Sequence, residues 1–307
     1  MSALKYRIWA LVLSAFVISG CVSAPVSPKS VIPRPDGRYD NHAYLVDSSR
    51  VELSRVVSSI VTLITRTTFT LPDVTPFEKK LVDSGVVVGG RFVLTVEHTI
   101  GQHEIEIETP LGPMKLQAEK MGEKTSLRHT GREHPLQALV RNREDDIALF
   151  EIPPGVRPPS FPYSMGDSDD LRVGNYIYVV GNPMNMGVNV REGIVSALRA
   201  PREVSRVDAK NENAFMVSNG LSPGDSGTPV IAIRDGRFEM VGLSQGTFMG
   251  TGRLGWVIRI NAVRQLLKKA RALPEERWAM KPAPVKVGPE SVPFAVPWFW
   301  GPVSILP

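Results

Sequence analysis

The sequence predicts an all-β fold of two six-stranded antiparallel β-barrels, followed by a C-terminal amphipathic helix. Three observations lead to this prediction. Runs rich in Val, Ile, Phe and Thr are short, they are bounded by Gly, Pro, Asn and Asp, and they fall into two groups of six. A Pro-rich stretch at 153–162 separates the groups, as is typical of a crossing between domains. The chain has 307 residues, 42% of them hydrophobic and 22% charged, which is enough for about two folded cores.

The twelve predicted strands share β-branched and aromatic residues between turn formers. Gly89-Gly90 lies between two apolar runs and predicts a tight hairpin. Apolar residues at helical spacing predict an amphipathic helix over 261–273 that closes the folded body. The first group of strands is Val57–Thr65, Ser84–Val88, Arg91–Val96, Glu104–Thr109, Leu136–Arg141 and Ile147–Ile152. The second is Tyr176–Val180, Gly187–Ser196, Ala214–Ser218, Thr228–Ile233, Glu239–Gln245 and Gly255–Ile260.

The N-terminus has the pattern of an export signal. Lys5 and Arg7 precede the charge-free apolar run Ile8–Ser19, whose 12 residues are too few to cross a hydrocarbon core that needs about 20. The ending Ile18-Ser-Gly-Cys21 resembles the lipobox of bacterial lipoproteins, in which the cysteine is lipidated and becomes the first residue. We therefore expect a signal peptide at 1–20 and a lipid anchor on Cys21. The alternative is an ordinary signal peptide with an incidental cysteine.

The rest of the chain divides into four predicted parts. An extended, Pro-rich tether at 21–48 joins the lipid to the folded body. The barrels occupy 49–157 and 158–273, and a Pro- and Trp-rich tail follows at 274–307. We expect the apolar tip of this tail to dock on the body, with contact to a membrane interface or a partner as the alternatives.

Charge and cysteine content limit the partners. The 36 basic and 31 acidic residues give a net charge of +5, and loss of Lys5 and Arg7 with the signal peptide leaves 34 − 31 = +3. So small a net positive charge does not indicate nucleic-acid binding. A single cysteine excludes an intramolecular disulfide and a cysteine-based zinc site. We expect no metal and no cofactor, since His129 and His134 lack a metal-binding spacing; these two, His42 and His103 are expected at the surface.

Three local sequences place a polar group beside an apolar strand. A serine is a poor nucleophile until a base lies within hydrogen-bond reach, and the base needs a partner that fixes its tautomer. Glycines around the serine allow backbone N–H groups to converge on an oxyanion. The three sequences are Phe92–His98, which ends in an imidazole, Asp145–Phe150, which offers a carboxylate, and Pro223–Pro229, which carries a serine between glycines.

The chain order His98, Asp146, Ser226 is that of the chymotrypsin-like (trypsin-fold) serine proteases, and it differs from the orders in subtilisins and α/β-hydrolases. The wider context, over about residues 50–273, resembles the HtrA/Deg branch. The resemblance implies that Ser226 is the nucleophile, that His98 is the general base and that Asp146 orients the base. It also implies an oxyanion hole formed by the N–H groups of Gly224 and Ser226.

Each of these residues has a structural alternative. The alternative for His98 is a buried core histidine, and the alternative for Ser226 is a serine that only forms a turn. Asp145 competes with Asp146 for the acidic role. We choose Asp146 because it directly precedes the run Ile147-Ala-Leu, which resembles the acid position of the family.

The resemblance places the substrate pocket in Ser218–Leu221 and Ser244–Gly246, with Gly220, Leu221, Ser244 and Gly246 as candidate binding residues. Gly220 lies six residues before Ser226 and has no carboxylate, which disfavours a trypsin-like demand for Lys or Arg. Leu221 favours a small apolar pocket that accepts Val, Ala or similar side chains.

The sequence departs from the HtrA pattern at three positions. Asp225 stands where Asn is usual; in the digestive enzymes of this fold, that Asp is neutralised by a new N-terminal amine, and the sequence identifies no partner for it here. Thr228 replaces a common Gly. Glu97 lies beside His98, where small or amide residues are usual. The 34 residues after the helix are also too few for the PDZ domain that HtrA proteins usually carry.

Together these features predict a lipid-anchored serine endopeptidase of the bacterial cell envelope that acts on exported proteins or peptides. Val22 after the cysteine, by resemblance to lipoproteins, favours the periplasmic side of the outer membrane. Two alternatives remain open: a catalytically inactive, protease-like module that binds peptides or acts as a chaperone, and a lipoprotein whose tail carries the function. The sequence does not determine the oligomeric state.

Overall fold

A computed structural model describes seven ranges of the chain: 36–41, 52–71, 74–101, 104–109, 112–201, 211–247 and 254–269. The predicted signal peptide, Cys21, His42, His103 and the tail at 274–307 lie outside the described residues. No helix within the described ranges is both long enough and apolar enough to cross a membrane.

The first of the two large sheets is a seven-stranded antiparallel half-barrel with the strand order β7-β6-β1-β2-β3-β9-β8. A short helix, α1 (Leu53–Val57), precedes it, and β4 and β5 form a separate two-stranded sheet. The strands are β1 (Ile60–Leu71), β2 (Val74–Val88), β3 (Phe92–Thr95), β4 (Glu104–Thr109), β5 (Gly112–Gln117), β6 (Glu119–His129), β7 (Arg132–Pro135), β8 (Gln137–Asn142) and β9 (Ile147–Glu151).

The second large sheet is a closed six-stranded barrel. Closure follows because its last strand, β16, pairs with both β13 and β15. A two-residue strand, β10 (Ser164–Met165), adds to β15 in parallel. The barrel strands are β11 (Tyr176–Gly181), β12 (Asn189–Ala197), β13 (Ala214–Val217), β14 (Pro229–Arg234), β15 (Arg237–Thr247) and β16 (Gly255–Arg259), and the helix α2 (Ile260–Lys269) follows directly.

The predicted all-β double-barrel class, with its closing amphipathic helix, is confirmed, although the first barrel is open and the second is closed. The sequence reasoning missed β5, β6, β7 and the two-residue β10, and began β2 ten residues late, at Ser84 rather than Val74. β6 and β7 are rich in Lys, Arg and Glu, because these strands bury only occasional side chains against the core.

The Gly89-Gly90 hairpin is confirmed and feeds the strand that leads to His98. Both glycines have positive φ, +58° and +69°, which glycine adopts without steric cost; together with Arg91 they form a three-residue connection in which the N–H of Arg91 donates to the carbonyl of Val88 (3.4 Å). Val88 therefore pairs with Phe92, and β3 returns antiparallel to β2.

One hydrophobic core is continuous between the two large sheets. It includes Leu94 and Leu149 of the first sheet together with Ile231 and Leu243 of the second, all of them fully buried. Because these side chains belong to one hydrophobic cluster, the two sheets pack against each other along a seam. The polar residues of interest lie at this seam.

Residues 36–41, which belong to the segment predicted as a tether, pack on the second barrel. Tyr39 is 5% exposed, and its hydroxyl donates to Glu239 Oε2 (2.9 Å) and accepts from the N–H of Asp167 (2.8 Å). The guanidinium of Arg234 lies 4.1 Å from the centre of the Tyr39 ring. This segment is therefore part of the folded body, because it buries a large aromatic side chain with its polar tip satisfied.

We predict that Tyr39→Ala lowers the free energy of unfolding by about 3–5 kcal/mol, since it removes a buried aromatic ring. Tyr39→Phe is the matched control: it keeps the ring and the contact with Arg234 and should cost about 1–2 kcal/mol for the hydroxyl hydrogen bonds. Urea denaturation measures both values. Equal losses in the two variants would show that burial of the ring contributes nothing.

Candidate active site

Pairing of β3 with β9 brings His98 and Asp146 together. The ladder joins Thr95 to Ala148, so the end of β3 and the start of β9 lie side by side. His98 follows β3 by three residues and Asp146 directly precedes β9. Asp146 Oδ1 accepts the backbone N–H of His98 (2.7 Å), and Oδ2 lies 2.7 Å from His98 Nδ1. The carboxylate therefore holds both the backbone and the ring of His98.

Asp146 is itself fixed from several sides. It is 1% exposed and adopts φ +54°, a left-handed conformation that Asp tolerates better than most residues. Its carbonyl accepts the N–H of Glu97 (3.3 Å). From the second barrel, Gln245 Nε2 donates to Oδ2 (2.8 Å). These contacts leave the carboxylate one orientation, toward His98.

Asp145 has a different environment. Its backbone N–H and carboxylate bond to Asn142 within the same turn (2.8 and 3.2 Å), and its carboxylate accepts from Asn213 Nδ2 (2.9 Å). Of the two adjacent aspartates, the one that faces His98 is Asp146.

The His98 ring is hydrogen-bonded to Asp146 through Nδ1 and is partly exposed to the cleft. Burial by itself lowers the pKa of His98, but the hydrogen bond to Asp146 and the negative charges of Asp146, Asp83 and Glu97 outweigh it and raise the pKa above its usual value. The side chain is 31% exposed toward the cleft. With Nδ1 donating to Asp146, the neutral tautomer leaves Nε2 as a proton acceptor.

Ser226 sits in a turn that requires glycine on both sides. Gly224 and Gly227 have φ of +94° and +80°. A Cβ at position 227 would lie 2.2 Å from Thr95 Oγ1, and one at position 224 would lie 2.5 Å from the carbonyl oxygen of Asn182. The missing side chain at Gly227 thus lets the serine turn approach the end of β3, close to His98.

The hydroxyl of Ser226 donates to the carbonyl oxygen of Gln245 (3.2 Å). Ser226 and His98 line the same cleft, but no hydrogen bond between them is present in the part of the chain that the structure describes. In ligand-free enzymes, a catalytic hydrogen bond of this kind often tightens only when substrate binds.

Two backbone N–H groups beside Ser226 Oγ have no acceptor among the described residues: those of Gly224 and Ser226. The carbonyl of Pro223 accepts the N–H of Met184 (2.6 Å), which fixes the plane of the Pro223–Gly224 peptide. Because a trans peptide points its N–H and C=O in opposite directions, the Gly224 N–H is directed away from Met184 N. Free N–H groups of this kind can bind an oxyanion.

The cleft has a volume of about 610 Å³ and contains part of the predicted pocket. Leu221 and Gly246 line it, as do two residues that sequence reasoning missed, Trp256 and Asp83. A Cβ at Gly246 would lie 2.3 Å from Trp256 Cζ2, so the glycine makes room for the indole. These two residues face each other across the β15–β16 ladder, a register that the sequence alone does not reveal.

Gly220 and Ser244, also predicted as binding residues, do not line the cleft. Ser244 is fully buried, where its backbone bonds to Gly227 and Thr228 (both 2.8 Å). The carbonyl of Gly220 accepts from Arg191 Nη1 (3.0 Å).

Each departure from the HtrA pattern has a bonding partner. Glu97 forms an ion pair with Arg141 (2.7 Å), and the hydroxyl of Thr228 donates to the carbonyl of Asp225 (2.6 Å). Asp225, fully buried, forms an ion pair with Arg191 (2.7 Å). Sequence reasoning had found no partner for Asp225, because Arg191 lies 34 residues away on β12.

Asp83 is half-buried in the wall of the cleft. Burial raises its pKa to about 7; the positive charge of His98 acts against this shift, and the negative charge of Asp225 adds to it. Its Oδ1 atom has no hydrogen-bond partner among the described residues.

Within the described ranges, no group of three or more His, Cys, Asp or Glu side chains is arranged to hold a metal ion. His129 and His134 lie on the peripheral strands β6 and β7.

The profile of the trypsin-like peptidase domain matches residues 83–243, just over half of the chain. The chain belongs to this family. It is 31% identical to the periplasmic serine endoprotease DegP of Escherichia coli (strain K12) over 141 residues, which cover 44% of this chain and 28% of DegP. It is 28% identical to the periplasmic pH-dependent serine endoprotease DegQ of the same organism over 210 residues, 65% of this chain and 39% of DegQ.

This trypsin-like domain also has the fold of solved HtrA-type proteases. The structure of the HtrA-type protease AlgW with a tripeptide superimposes with a TM-score of 0.51 at 19% identity, covering 71% of this chain and 61% of AlgW. The same protease with a decapeptide gives 0.51 at 18% identity, covering 72% and 66%. The chain thus spans less than two fifths of the length of DegP and DegQ.

Asp83→Asn should stabilise the protein at neutral pH. Because the folded state raises the pKa of Asp83 from about 4 to about 7, the native protein retains a proton that the unfolded chain releases, and stability falls as the pH rises through this interval. The Asn variant has no carboxyl group at position 83, so its stability does not fall for this reason. Its Tm minus that of the wild type should therefore grow between pH 4 and 7 and level off above. The exposed Glu212→Gln serves as a control, and a Tm difference independent of pH would contradict the burial argument.

Proposed function

We propose that the protein is a serine endopeptidase that cleaves peptide bonds through an acyl-enzyme on Ser226. One observation carries this proposal: a histidine held by a buried carboxylate shares a cleft with a serine whose turn has two N–H groups without an acceptor among the described residues. Membership in the trypsin-like peptidase family supports it independently. No cofactor is needed for this chemistry.

In the proposed mechanism, Ser226 Oγ attacks the substrate carbonyl while His98 Nε2 takes its proton. The carbonyl oxygen becomes an oxyanion, which the N–H groups of Gly224 and Ser226 stabilise. His98 then gives the proton to the leaving amine, and the acyl-enzyme forms. A water molecule repeats the sequence and releases the acid. Asp146 keeps Nδ1 protonated throughout and stabilises the transient imidazolium.

Proteins or peptides in extended conformation are the proposed substrates. Support comes from the open cleft and from the fold shared with AlgW, whose structures contain a tripeptide or a decapeptide. Leu221 and Trp256 form apolar walls of the cleft. We therefore propose that the residue before the scissile bond is small and aliphatic.

We propose a location in the bacterial cell envelope, on the periplasmic side of the outer membrane, with a lipid anchor at Cys21. The export signal and the lipobox-like ending at Cys21 support this, and both E. coli relatives are named as periplasmic. A lipidated cysteine with two or more acyl chains gives stable membrane attachment, whereas one chain does not.

A catalytically inactive, peptide-binding module is the second candidate. The observation that favours it is the hydrogen bond from Ser226 to the carbonyl of Gln245, which directs the hydroxyl away from His98. The two candidates differ in the reactivity of Ser226.

Labelling with a fluorophosphonate probe tests the proposal. We expect the wild-type protein to be labelled covalently at Ser226, and Ser226→Ala to lose labelling completely while its Tm and circular dichroism spectrum stay unchanged. His98→Ala should slow labelling by at least 10³-fold, because the serine loses its base. Labelling of Ser226→Ala at the wild-type rate would refute the nucleophile, and a folded wild type that is never labelled would favour the inactive module.

In the pH profile of kcat/KM, the acid limb should have its midpoint above about pH 6.5, the ordinary pKa of a histidine side chain. His98 must be neutral to act as a base, and its pKa is raised. Asp83→Asn removes one of the negative charges that raise it, so the limb should move to lower pH. Since Asp83 titrates in the same range, the midpoint reports the two groups together. Glu212→Gln should leave the profile in place; a shift to higher pH in Asp83→Asn would contradict the assignment.

A further inference from the structure

The residue before Ser226 is a carboxylate removed from water. Asp225 is 0% exposed, and its Oδ2 lies 2.7 Å from Arg191 Nη2. A buried carboxylate without a cation costs several kcal/mol, so this ion pair is a condition for the observed position of Asp225. Arg191 comes from β12, on the wall of the second barrel, and is 27% exposed.

The same guanidinium holds a second point of the serine loop. Arg191 Nη1 donates to the carbonyl oxygen of Gly220 (3.0 Å), while the N–H of Ser222 donates to Asp225 Oδ2 (2.7 Å). Asp225 N–H donates back to the carbonyl of Ser222 (2.9 Å). One arginine therefore contacts both ends of the segment 220–225, through a hydrogen bond to Gly220 and an ion pair with Asp225.

The neighbouring strand carries a glycine where it packs against this ion pair. A Cβ at Gly181, on β11, would lie 2.1 Å from Asp225 Oδ1 and 3.1 Å from Arg191 Nη2. The backbone φ of Gly181 is not in the left-handed region, so the requirement for glycine here is one of space. The barrel wall thus contains a built site for the ion pair.

The carbonyl side of Asp225 is held as well. The hydroxyl and the N–H of Thr228 both donate to the carbonyl oxygen of Asp225 (2.6 and 3.1 Å). With its side chain and its carbonyl both anchored, the Asp225–Ser226 peptide cannot rotate. This is the peptide that carries the Ser226 N–H, one of the two groups proposed to bind the oxyanion.

We propose that Arg191 is a positioning residue that keeps the oxyanion hole formed in the intact chain. It supplies internally the positive charge that the digestive enzymes of this fold obtain from a new N-terminal amine. This inference rests on the proposed function. It implies that activity needs no cleavage of the chain between residues 36 and 226.

Four proteins test the proposal: the wild type, Arg191→Met, Asp225→Asn and the double variant. Arg191→Met leaves a buried, uncompensated carboxylate, and we expect kcat and the rate of fluorophosphonate labelling to fall about 100-fold, the effect of losing one oxyanion donor. KM should change little. The double variant removes the buried charge as well and should regain at least about tenfold in kcat. Exposed Arg157→Met controls for the loss of an arginine elsewhere.

Thermal unfolding separates positioning from a merely structural role, since all rates are measured on protein that remains folded well below its Tm. Folded Arg191→Met with kcat within about twofold of the wild type would overturn the proposal. Intact mass of the labelled wild type should show no cleavage between residues 36 and 226; labelling that required such cleavage would also overturn it. A wild type that is never labelled would instead refute the proposed function, and this inference with it.

Discussion

The pairing of β3 with β9 is the constraint on which the candidate site depends. It places the end of one strand beside the start of the other, so that a buried Asp146 meets the ring and backbone of His98 through two contacts of 2.7 Å. Gln245 completes this arrangement from the second barrel by donating to the same carboxylate and accepting from Ser226. The site therefore exists only when the two sheets share a core, because its residues come from both.

A second principle explains the unusual residues around the site: buried carboxylates next to the reactive groups are paired with arginines from neighbouring strands. Glu97 is paired with Arg141 of β8 and Asp225 with Arg191 of β12. Removal from water makes an unpaired carboxylate costly, and a guanidinium can satisfy several acceptors at once. Asp83 Oδ1 has no hydrogen-bond partner among the described residues, and burial raises the pKa of Asp83 to about 7.

Sequence patterns predicted the fold where burial is regular and failed where it is not. Strands β3, β9 and β14 are almost wholly buried, and their apolar runs were recognised. β6 and β7 were missed because their side chains are mostly polar and only partly buried. These strands are defined by backbone pairing with their neighbours, which leaves no periodic pattern in the sequence. The helix α1 is only five residues long and has no side-chain N-cap, which removes the usual starting signal.

The sequence by itself determined the class of fold, the Gly-Gly hairpin and the three local motifs that contain His98, Asp146 and Ser226, because each depends on residues close together in the chain. Only the tertiary structure decided that Asp146 rather than Asp145 faces His98, that Trp256 and Asp83 line the cleft while Ser244 does not, and that Arg191 neutralises Asp225. Those outcomes depend on strand register and on the burial of charge, which bring together atoms far apart along the chain.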